Sequence, residues 1–318
     1  MGRIIRRATA LAAAALLPFV GACQGRSSSP DAERSSRITV QELSPAPGQL
    51  VLPLKSGSIR FAVIGDSGRG DQAQNEVAQQ MVAWRQKFPF EFVVMLGDNI
   101  YPPHAPDDFE KKFEAPYRSL LDEGIAFYAA IGNHDPETEL TYPKFNMEGR
   151  RYYTFRRNER RLEGLTGAGV RFFVLDSRSF DPSQLVWLRE QLAQSGTDWK
   201  ICYFHHPLYT SGRYTTAARF LRIALEPILI EGNVDVVLTG HEHFYERMYP
   251  QRGIAYFISG GAGSLRNGDI RRPSPIMARG FDSDFHFMMI EVSGDTLYFQ
   301  AISRKSETID AGSLTRAR

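Results

Sequence analysis

The sequence predicts an α/β fold in which two β-sheets pack face to face between outer layers of helices. From residue 59 onward, short apolar runs typical of buried strands alternate with segments of helical periodicity. Polar residues cluster directly after the apolar runs, as in open α/β folds, where ligands bind beyond the carboxyl ends of the strands. The last strand-like runs are not each followed by a helix, which disfavours a β/α barrel and favours a four-layer α/β/β/α sandwich.

The predicted strands are short and largely apolar, which is typical of strands that are buried on both faces. Six of them end next to polar residues and lie at residues 59–64, 92–96, 125–131, 170–175, 200–204 and 234–238. Three closing strands are predicted at residues 254–259, 285–292 and 296–302. These segments together predict one large domain with a sizeable core.

Three helices are predicted, at residues 73–87, 182–194 and 217–230. The first places Val77, Met81 and Trp84 on one face at helical spacing. The second begins with Asp181 as its N-cap and Pro182 as its first helical residue.

The amino terminus predicts export from the cell. Three arginines precede an apolar stretch at residues 10–20, which is too short to span a bilayer as a stable helix. The stretch leads to Val20-Gly21-Ala22-Cys23, which resembles a bacterial lipobox, so residues 1–22 are predicted to be a lipoprotein-type signal peptide. An ordinary cleaved signal with an incidental cysteine is the alternative. The predicted location is the cell envelope, periplasm or outer membrane, with a lipid anchor on Cys23.

The rest of the chain is predicted to divide into a tether and N-terminal extension at 23–58, one domain at 59–302 and a polar, mobile tail at 303–318. Without the three arginines of the signal, 35 of the 38 basic residues face 36 acidic ones. This near-neutral balance gives no indication of a nucleic-acid partner. Only Cys23 and Cys202 are present, so a lipidated Cys23 leaves no intrachain disulfide, and Cys202 is predicted to be a buried thiol.

Five short motifs, each directly after a predicted strand, hold five of the seven histidines. They are Gly65-Asp66-Ser67-Gly68, Gly97-Asp98-Asn99-Ile100-Tyr101, Gly132-Asn133-His134-Asp135, His205-His206-Pro207 and Gly240-His241-Glu242-His243. Carboxylates, imidazoles, an amide oxygen and a phenol form the inventory that a pair of metal ions needs. The motifs are therefore predicted to converge on one site.

The first two motifs supply carboxylates and a phenol. A lone Asp66 in a glycine-rich turn would be read as an Asx turn or a helix cap, but the same Gly-Asp ending recurs at Asp98 after a second strand. Asp98 can bridge two cations through its two oxygens. Tyr101 lies close enough along the chain to reach the same centre, and a phenolate suits Fe(III). The alternative for Tyr101 is an aromatic residue at the rim.

The third motif offers an amide oxygen and an imidazole together. Asn133 can give its side-chain oxygen to a divalent ion. His134 is then predicted to point across the site, with Asp135 fixing its tautomer. A helix-capping turn is the alternative.

The last two motifs offer imidazoles. His205, at a strand end, is predicted to be a ligand, and His206 is predicted to line the wall, because neighbouring side chains diverge. His241 and His243 lie two residues apart on an extended segment and face the same side, so each can reach one of two adjacent ions.

The remaining histidines carry less information. His104 is predicted to lie near the mouth of the site, and His286, inside a late strand, is predicted to be structural. The arginine-rich run at residues 150–161 is predicted to be a solvated hairpin, with contact to an anion as the alternative.

These motifs resemble those of calcineurin-like metallophosphoesterases, and specifically of the purple (tartrate-resistant) acid phosphatases. Most members of the wider superfamily begin with Asp-x-His, but Gly68 stands at the histidine position here. Tyr101 supplies the replacement, a swap that resembles the purple branch. The resemblance also extends to His243-Phe244-Tyr245-Glu246-Arg247.

The resemblance implies a ligand set and two metal ions. The first ion would take Asp66, Asp98, Tyr101 and His243. The second would take Asp98, Asn133, His205 and His241. Fe(III) is implied at the first site and Fe(II), Zn(II) or Mn(II) at the second. His134 matches the histidine that contacts the substrate, whereas residues 208–214 lack the further histidines of plant members.

The implied function is hydrolysis of a phosphomonoester by a metal-bound hydroxide, as in an acid phosphatase. The missing plant-type histidines leave the leaving-group acid open, and His134 is the best candidate for it. The implied partner is a small phosphorylated substrate. No nucleic-acid partner is expected, and contact with a membrane is expected only through a lipidated Cys23. A phosphodiesterase acting on nucleotides or lipid head groups, and a non-catalytic phosphate-binding lipoprotein, are the alternatives.

Overall fold

The computed structural model describes residues 1–2, 37–158 and 169–317. The predicted lipobox, the lipid anchor on Cys23 and most of the tether lie outside these ranges, so they stay predictions. Residues 159–168 also lie outside them, and with them the last three residues of the arginine-rich run, 159–161. Within the described ranges, no helix is both long and apolar enough to cross a membrane.

Two seven-stranded sheets form the core of the fold. The strands of the described residues are β1 (Ile38–Glu42), β2 (Ile59–Ile64), β3 (Phe92–Met95), β4 (Ala126–Ala129), β5 (Tyr153–Arg157), β6 (Val170–Val174), β7 (Trp199–Phe204), β8 (Val236–Thr239), β9 (Tyr245–Met248), β10 (Ala255–Ser259), β11 (Met277–Phe281), β12 (His286–Ser293), β13 (Thr296–Ser303) and β14 (Thr308–Arg316). The first sheet has the order β1-β14-β13-β12-β2-β3-β4, and the second has the order β11-β9-β10-β8-β7-β6-β5.

Each sheet contains a group of neighbouring parallel strands. Strands β2, β3 and β4 are parallel in the first sheet, and β6, β7, β8 and β10 are parallel in the second. The outer strands β1, β5 and β11 are antiparallel to their neighbours, whereas the outer strand β4 is parallel to β3. Because the carboxyl ends of parallel strands meet at one edge of a sheet, the loops that follow them are brought together there.

The faces of β6 show how the layers are stacked. Phe172 faces the first sheet, with its ring 5.3 Å from that of Phe61 and 5.6 Å from that of Phe92. Its neighbour Phe173 belongs to a second apolar cluster, which includes Leu188 and Leu225 of the helices on the other side. Alternate residues of one strand therefore pack in two different cores, as expected for a sheet that is covered on both faces.

Four α-helices complete the layers in the described residues. They are α1 (Gln72–Arg85), α2 (Ala115–Asp122), α3 (Pro182–Ala193) and α4 (Thr215–Glu231). α1 packs against the first sheet through residues such as Trp84, and α3 and α4 cover the second sheet. The Asp181 side chain caps α3 by accepting a hydrogen bond from the Gln184 amide at 2.8 Å, as predicted. The predicted α/β/β/α fold is confirmed.

The carboxyl-terminal segment is not the mobile tail that was predicted at residues 303–318. Residues Thr308–Arg316 form β14, which pairs with β13 and with β1 from the N-terminal extension. The polar composition was misleading because the polar groups are paired inside the fold. Asp310 is buried, and its carboxylate accepts hydrogen bonds at 2.7 Å from Tyr245 and from Arg247. The domain therefore extends beyond the predicted limits of 59–302.

The described part of the arginine-rich run forms the edge strand β5 rather than a purely solvated hairpin. Arg156 donates to the Asp198 carboxylate at 2.8 Å. The Arg157 guanidinium lies 4.9 Å from the centre of the Tyr128 ring. Two other predictions are confirmed, since Cys202 and His286 are both buried.

Candidate metal centre

Five loops meet at the edge where the parallel strands end. Asp66, Asp98 and Asn133 follow β2, β3 and β4 of the first sheet, and His205 and His241 follow β7 and β8 of the second. These side chains lie close together because the loops that follow parallel strands all begin at the carboxyl-terminal edge of the sheet. The predicted site residues are thus brought together from positions 66 to 243.

One group of donor atoms forms around Tyr101. The Tyr101 hydroxyl lies 3.0 Å from His243 Nε2 and 3.3 Å from Asp66 Oδ1. His243 Nε2 is 3.3 Å from the same Asp66 oxygen. All three side chains are buried. The phenol therefore lies among the donors rather than at the rim.

A second group forms around His205. Its Nε2 atom lies 3.0 Å from Asn133 Oδ1 and 3.1 Å from His241 Nδ1. Asp98 Oδ1 lies 3.4 Å from this nitrogen. Asp98 also offers an oxygen within 4.8 Å of the donor atoms of Asp66 and His243. Asp98 therefore reaches both groups, as a bridging ligand would.

The chemistry of these donors fits bound cations. Burial is the main cause that lowers the pKa of His205 well below its ordinary value, that of His241 to about 2 and that of His243 to about 3. Neutral imidazole is the form that binds metal. Burial and the charge of Asp98 raise the pKa of Asp66 well above its ordinary value. His205 Nδ1 lies 3.0 Å from the Leu96 carbonyl oxygen, which can only accept, so Nε2 of the neutral ring carries the lone pair. This nitrogen faces Asn133 Oδ1 at 3.0 Å and Asp98 Oδ1 at 3.4 Å, and a bound cation would stabilise such a cluster of acceptors.

The Tyr101 phenol needs such a charge to ionise. Burial, followed by the charges of Asp66 and Asp98, raises the pKa of Tyr101 far above its ordinary value. A phenolate at this position therefore requires a strongly charged cation close to its oxygen.

The backbone is strained where the ligand candidates leave the strands. Asp66, Asp98 and His241 have φ values of 56°, 53° and 68°, in the left-handed region that non-glycine residues rarely occupy. The His241 amide donates to Asp66 Oδ2 at 2.8 Å, and the His134 amide donates to Asp98 Oδ1 at 2.9 Å. Each carboxylate therefore uses an oxygen to fix the backbone of another loop.

Gly68 shows why no histidine stands at this position. A Cβ atom on Gly68 would lie 2.0 Å from the Asn99 carbonyl oxygen. The Gly68 amide donates to Asp98 O at 3.2 Å, and its carbonyl accepts from the Tyr101 amide at 2.9 Å. The first two motifs are packed backbone against backbone, so Tyr101 replaces a side chain that this loop has no room for.

Asp135 has a different role from the one predicted. Its carboxylate accepts hydrogen bonds from the Gly132 amide at 2.7 Å, the Ile100 amide at 2.9 Å and Asn99 Nδ2 at 3.1 Å. Among the hydrogen bonds of residues 37–158, none joins it to the His134 ring. Burial is the main cause that raises the pKa of Asp135 to about 7. Asp135 holds two loops together and does not fix the His134 tautomer.

His134 and His104 lie at the open side of the centre. His134 is exposed, and its ring centre is 5.0 Å from that of Tyr101. His104 Nε2 lies 2.8 Å from the His134 carbonyl oxygen. His104 therefore contacts the loop that carries His134, at the mouth where it was predicted.

His206 lies beside the second donor group. Its Nδ1 atom is 2.9 Å from the Ser177 hydroxyl, and its ring centre is 4.4 Å from that of His241. It also offers a nitrogen within 4.8 Å of the donor nitrogens of His205 and His241. The Ser177 contact agrees with the prediction that His206 lines the wall of the site. The His206 ring is nevertheless close enough to His205 and His241 to bind the same ion.

Three residues near the centre were missed by the sequence reasoning. The Tyr214 ring packs on His241 with centres 4.3 Å apart, and Arg266 donates to the His241 carbonyl at 3.2 Å. Arg69 stacks on Tyr101 at 3.9 Å. The glycine-rich run at residues 260–263, directly after β10, was a usable signal for the loop that carries Arg266.

Comparison with known proteins agrees with this geometry. The family model for calcineurin-like phosphoesterases matches residues 59–245. The chain belongs to the calcineurin-like phosphoesterase family. The family makes the chain a metal-dependent phosphoric ester hydrolase. Together with the donor groups it implies a small phosphorylated substrate and a dinuclear metal centre.

Relatives within the family are purple and tartrate-resistant acid phosphatases. The chain is 26% identical over 294 residues to purple acid phosphatase 7 of Arabidopsis thaliana, covering 79% of this chain and 88% of that protein. It is 24% identical over 286 residues to the tartrate-resistant acid phosphatase type 5 of Homo sapiens, covering 79% and 86%. The predicted family resemblance is confirmed.

Solved structures support the fold. The purple acid phosphatase PPD1 from yellow lupin (Lupinus luteus) has a TM-score of 0.65 at 17% identity, covering 85% of this chain and 55% of that one. GAP50, the anchor in the inner membrane complex of Plasmodium, has a TM-score of 0.73 at 20% identity, covering 82% and 90%.

Proposed function

We propose that this protein is a phosphomonoesterase of the acid phosphatase type. The observation that carries the proposal is the placement of the Tyr101 hydroxyl, 3.0 Å from His243 Nε2 and 3.3 Å from Asp66 Oδ1. A phenol among carboxylate and imidazole donors suits Fe(III). The purple and tartrate-resistant acid phosphatases among the relatives support the same reading.

The proposed ligands follow the two donor groups. The first ion is assigned to Asp66, Asp98, Tyr101 and His243, and the second to Asp98, Asn133, His205 and His241. We assign Fe(III) to the Tyr101 group and Fe(II), Zn(II) or Mn(II) to the other. When bound, the two cations would supply the charge that attracts phosphate and stabilises its transition state.

The protein side chains position the reaction and move a proton. Asp66 and Asp98 fix the backbone of the His241 and His134 loops through hydrogen bonds at 2.8 and 2.9 Å. His134 is exposed beside Tyr101 and is assigned as the group that protonates the leaving alkoxide. Tyr214 packs on His241 and shields one side of the second donor group from water.

The test is a comparison of substrates with the metal-loaded protein. We expect kcat/KM for a chromogenic phosphomonoester at mildly acidic pH to exceed that for the matching phosphodiester by at least about tenfold, a difference of about 1.4 kcal/mol in the activation free energy. A preference for the diester would favour the phosphodiesterase alternative. Hydrolysis of neither ester would support a non-catalytic role, such as the anchor role in the name of GAP50.

The Tyr101→Phe variant tests the iron assignment. The protein loaded with iron is expected to show a visible absorption band from phenolate bound to Fe(III), and the variant is expected to lose it. The phenylalanine keeps the ring that packs on Arg69 and His134, so the fold should be unchanged. Tyr214→Phe is the matched control, because Tyr214 lies 4.3 Å from His241 and is not assigned as a ligand. A band that survives in Tyr101→Phe would exclude this tyrosine as the iron ligand.

A further inference from the structure

Arg69 lies beside the candidate metal centre and directly follows the first motif. Its guanidinium carbon is 3.9 Å from the centre of the Tyr101 ring. The hydroxyl of that ring is 3.0 Å from His243 Nε2 and 3.3 Å from Asp66 Oδ1. The arginine is therefore stacked on a ring whose hydroxyl end enters the first donor group, and its charge lies at the rim of the centre.

The Arg69 guanidinium is held at one nitrogen only. Its Nε atom donates to the Ser264 hydroxyl at 2.9 Å, which fixes the plane of the group together with the stacking on Tyr101. The residue is exposed, and among the described residues no carboxylate pairs with it and no acceptor contacts its two Nη atoms. A guanidinium fixed in this way offers its Nη pair as a planar fork, which suits bidentate binding of a phosphate.

The neighbouring arginine, Arg266, is already used by the protein. It donates to the His241 carbonyl at 3.2 Å and lies 3.7 Å from the buried Glu242 carboxylate. Its guanidinium also packs on Tyr214 at 5.3 Å. Because Glu242 offsets the charge of Arg266, Arg69 is the arginine of this rim whose charge is left for a ligand.

We propose that Arg69 is a specificity-determining residue that binds a second phosphate of the substrate, one linkage away from the phosphate held in the metal centre. The proposal rests on the proposed function. It follows from the place of the guanidinium over the Tyr101 ring, 3.9 Å from the ring centre, and not among the donor atoms around the Tyr101 hydroxyl. The favoured substrates are then diphosphates and phosphomonoesters with an adjacent phosphate, rather than phosphate esters of neutral alcohols.

The test measures binding rather than turnover. Metal-loaded protein is titrated calorimetrically with inorganic phosphate and with methylenediphosphonate, which the enzyme cannot hydrolyse. In Arg69→Gln, the dissociation constant for the diphosphonate should rise by about tenfold or more, because a charge-assisted bidentate contact is lost. The constant for inorganic phosphate should change by less than about twofold. Arg69→Lys should fall between the two proteins, since it keeps the charge but not the fork.

The matched control is Arg219→Gln, which removes the same charge from an exposed position on α4 and should change neither constant. Thermal unfolding and metal content, measured before and after titration, show that the variants are folded and loaded. An equal loss for phosphate and diphosphonate in Arg69→Gln would place Arg69 on the phosphate in the metal centre and overturn the proposal. Unchanged constants for both ligands would overturn it as well.

Failure of this inference is distinguishable from failure of the proposed function. Hydrolysis of a phosphomonoester together with unchanged diphosphonate binding in Arg69→Gln would refute the second phosphate site alone. A selective loss of diphosphonate binding, in a protein that hydrolyses no phosphomonoester, would refute the proposed function and keep the site.

Discussion

The Asp98→Asn variant is expected to retain at most one metal ion per chain and to hydrolyse phosphomonoesters at least about 100-fold more slowly. Changing a residue that only hydrogen-bonds to a metal ligand already lowers metal affinity or activity by about 10–100-fold, and Asp98 is assigned as a ligand itself. Asp98 Oδ1 lies 3.4 Å from His205 Nε2. The same carboxylate lies within 4.8 Å of the donor atoms of Asp66 and His243. Asparagine keeps one oxygen of the same shape but loses the negative charge and the second anionic oxygen, so it cannot bridge two cations.

Stability with and without metal separates this effect from misfolding. The charge of Asp98 raises the pKa of Asp66, after the larger effect of burial. Removing that charge should therefore leave the metal-free protein at least as stable as the natural one, while the metal-loaded protein loses stability because it binds less metal. Metal analysis and thermal unfolding in both states measure the two effects.

Asp107→Asn is the matched control for the Asp98 variant. Asp107 is an exposed carboxylate that pairs with Lys111 at 2.5 Å, outside the donor groups. Surface ion pairs contribute little, so this variant should keep both ions and full activity. Two ions and full activity in Asp98→Asn would exclude the bridging role.

The convergence of the site was predictable because it depends on strand order in the sequence rather than on side-chain detail. Strand β2 is observed at Ile59–Ile64, where it was predicted, and its Gly-Asp ending places Asp66 at the functional edge. The same argument applies to Asp98 after β3 and to His205 after β7. A buried parallel strand is recognisable in the sequence as a continuous apolar run. The motif that follows it must lie at the carboxyl-terminal edge of the sheet.

The direction of individual side chains was less predictable, because it is set by contacts between distant segments. Asp135 follows His134 directly in the sequence, yet its carboxylate accepts hydrogen bonds from the Gly132 and Ile100 amides and not from the His134 ring. Arg69 was not recognised because its partners, Tyr101 and Ser264, lie on other loops. Spacing within a motif does not report such contacts.

The strand at the carboxyl terminus was missed for a related reason. Residues Thr308–Arg316 contain few large apolar side chains, so the segment resembled a solvated tail. Its stability comes from pairing with β13 and β1 and from the contact of Asp310 with Arg247, which lies 63 residues earlier in the chain. A buried charge with a distant partner looks like a surface residue in the sequence.

The His134→Gln variant is expected to lower kcat by about 100-fold or more for a phosphomonoester of a simple alcohol, within the range of about 10²–10⁴ that general acid catalysis contributes. An alkoxide is a strong base and needs a proton as it leaves. His134 is exposed beside Tyr101, and its backbone amide, not its ring, contacts Asp98. The substitution should therefore leave metal content unchanged.

The leaving group provides the control for His134. A nitrophenolate leaves without protonation, so the same variant should hydrolyse nitrophenyl phosphate with a loss of less than about tenfold, a cost of up to about 1.4 kcal/mol. The two substrates share the metal centre and the transferred phosphoryl group, and they differ in the proton that the leaving oxygen requires. An equal loss on both substrates would make His134 a binding or electrostatic residue. Full activity on the simple alcohol ester would place the proton donor elsewhere. His104 would then be the next residue to test, since its Nε2 atom lies 2.8 Å from the His134 carbonyl oxygen.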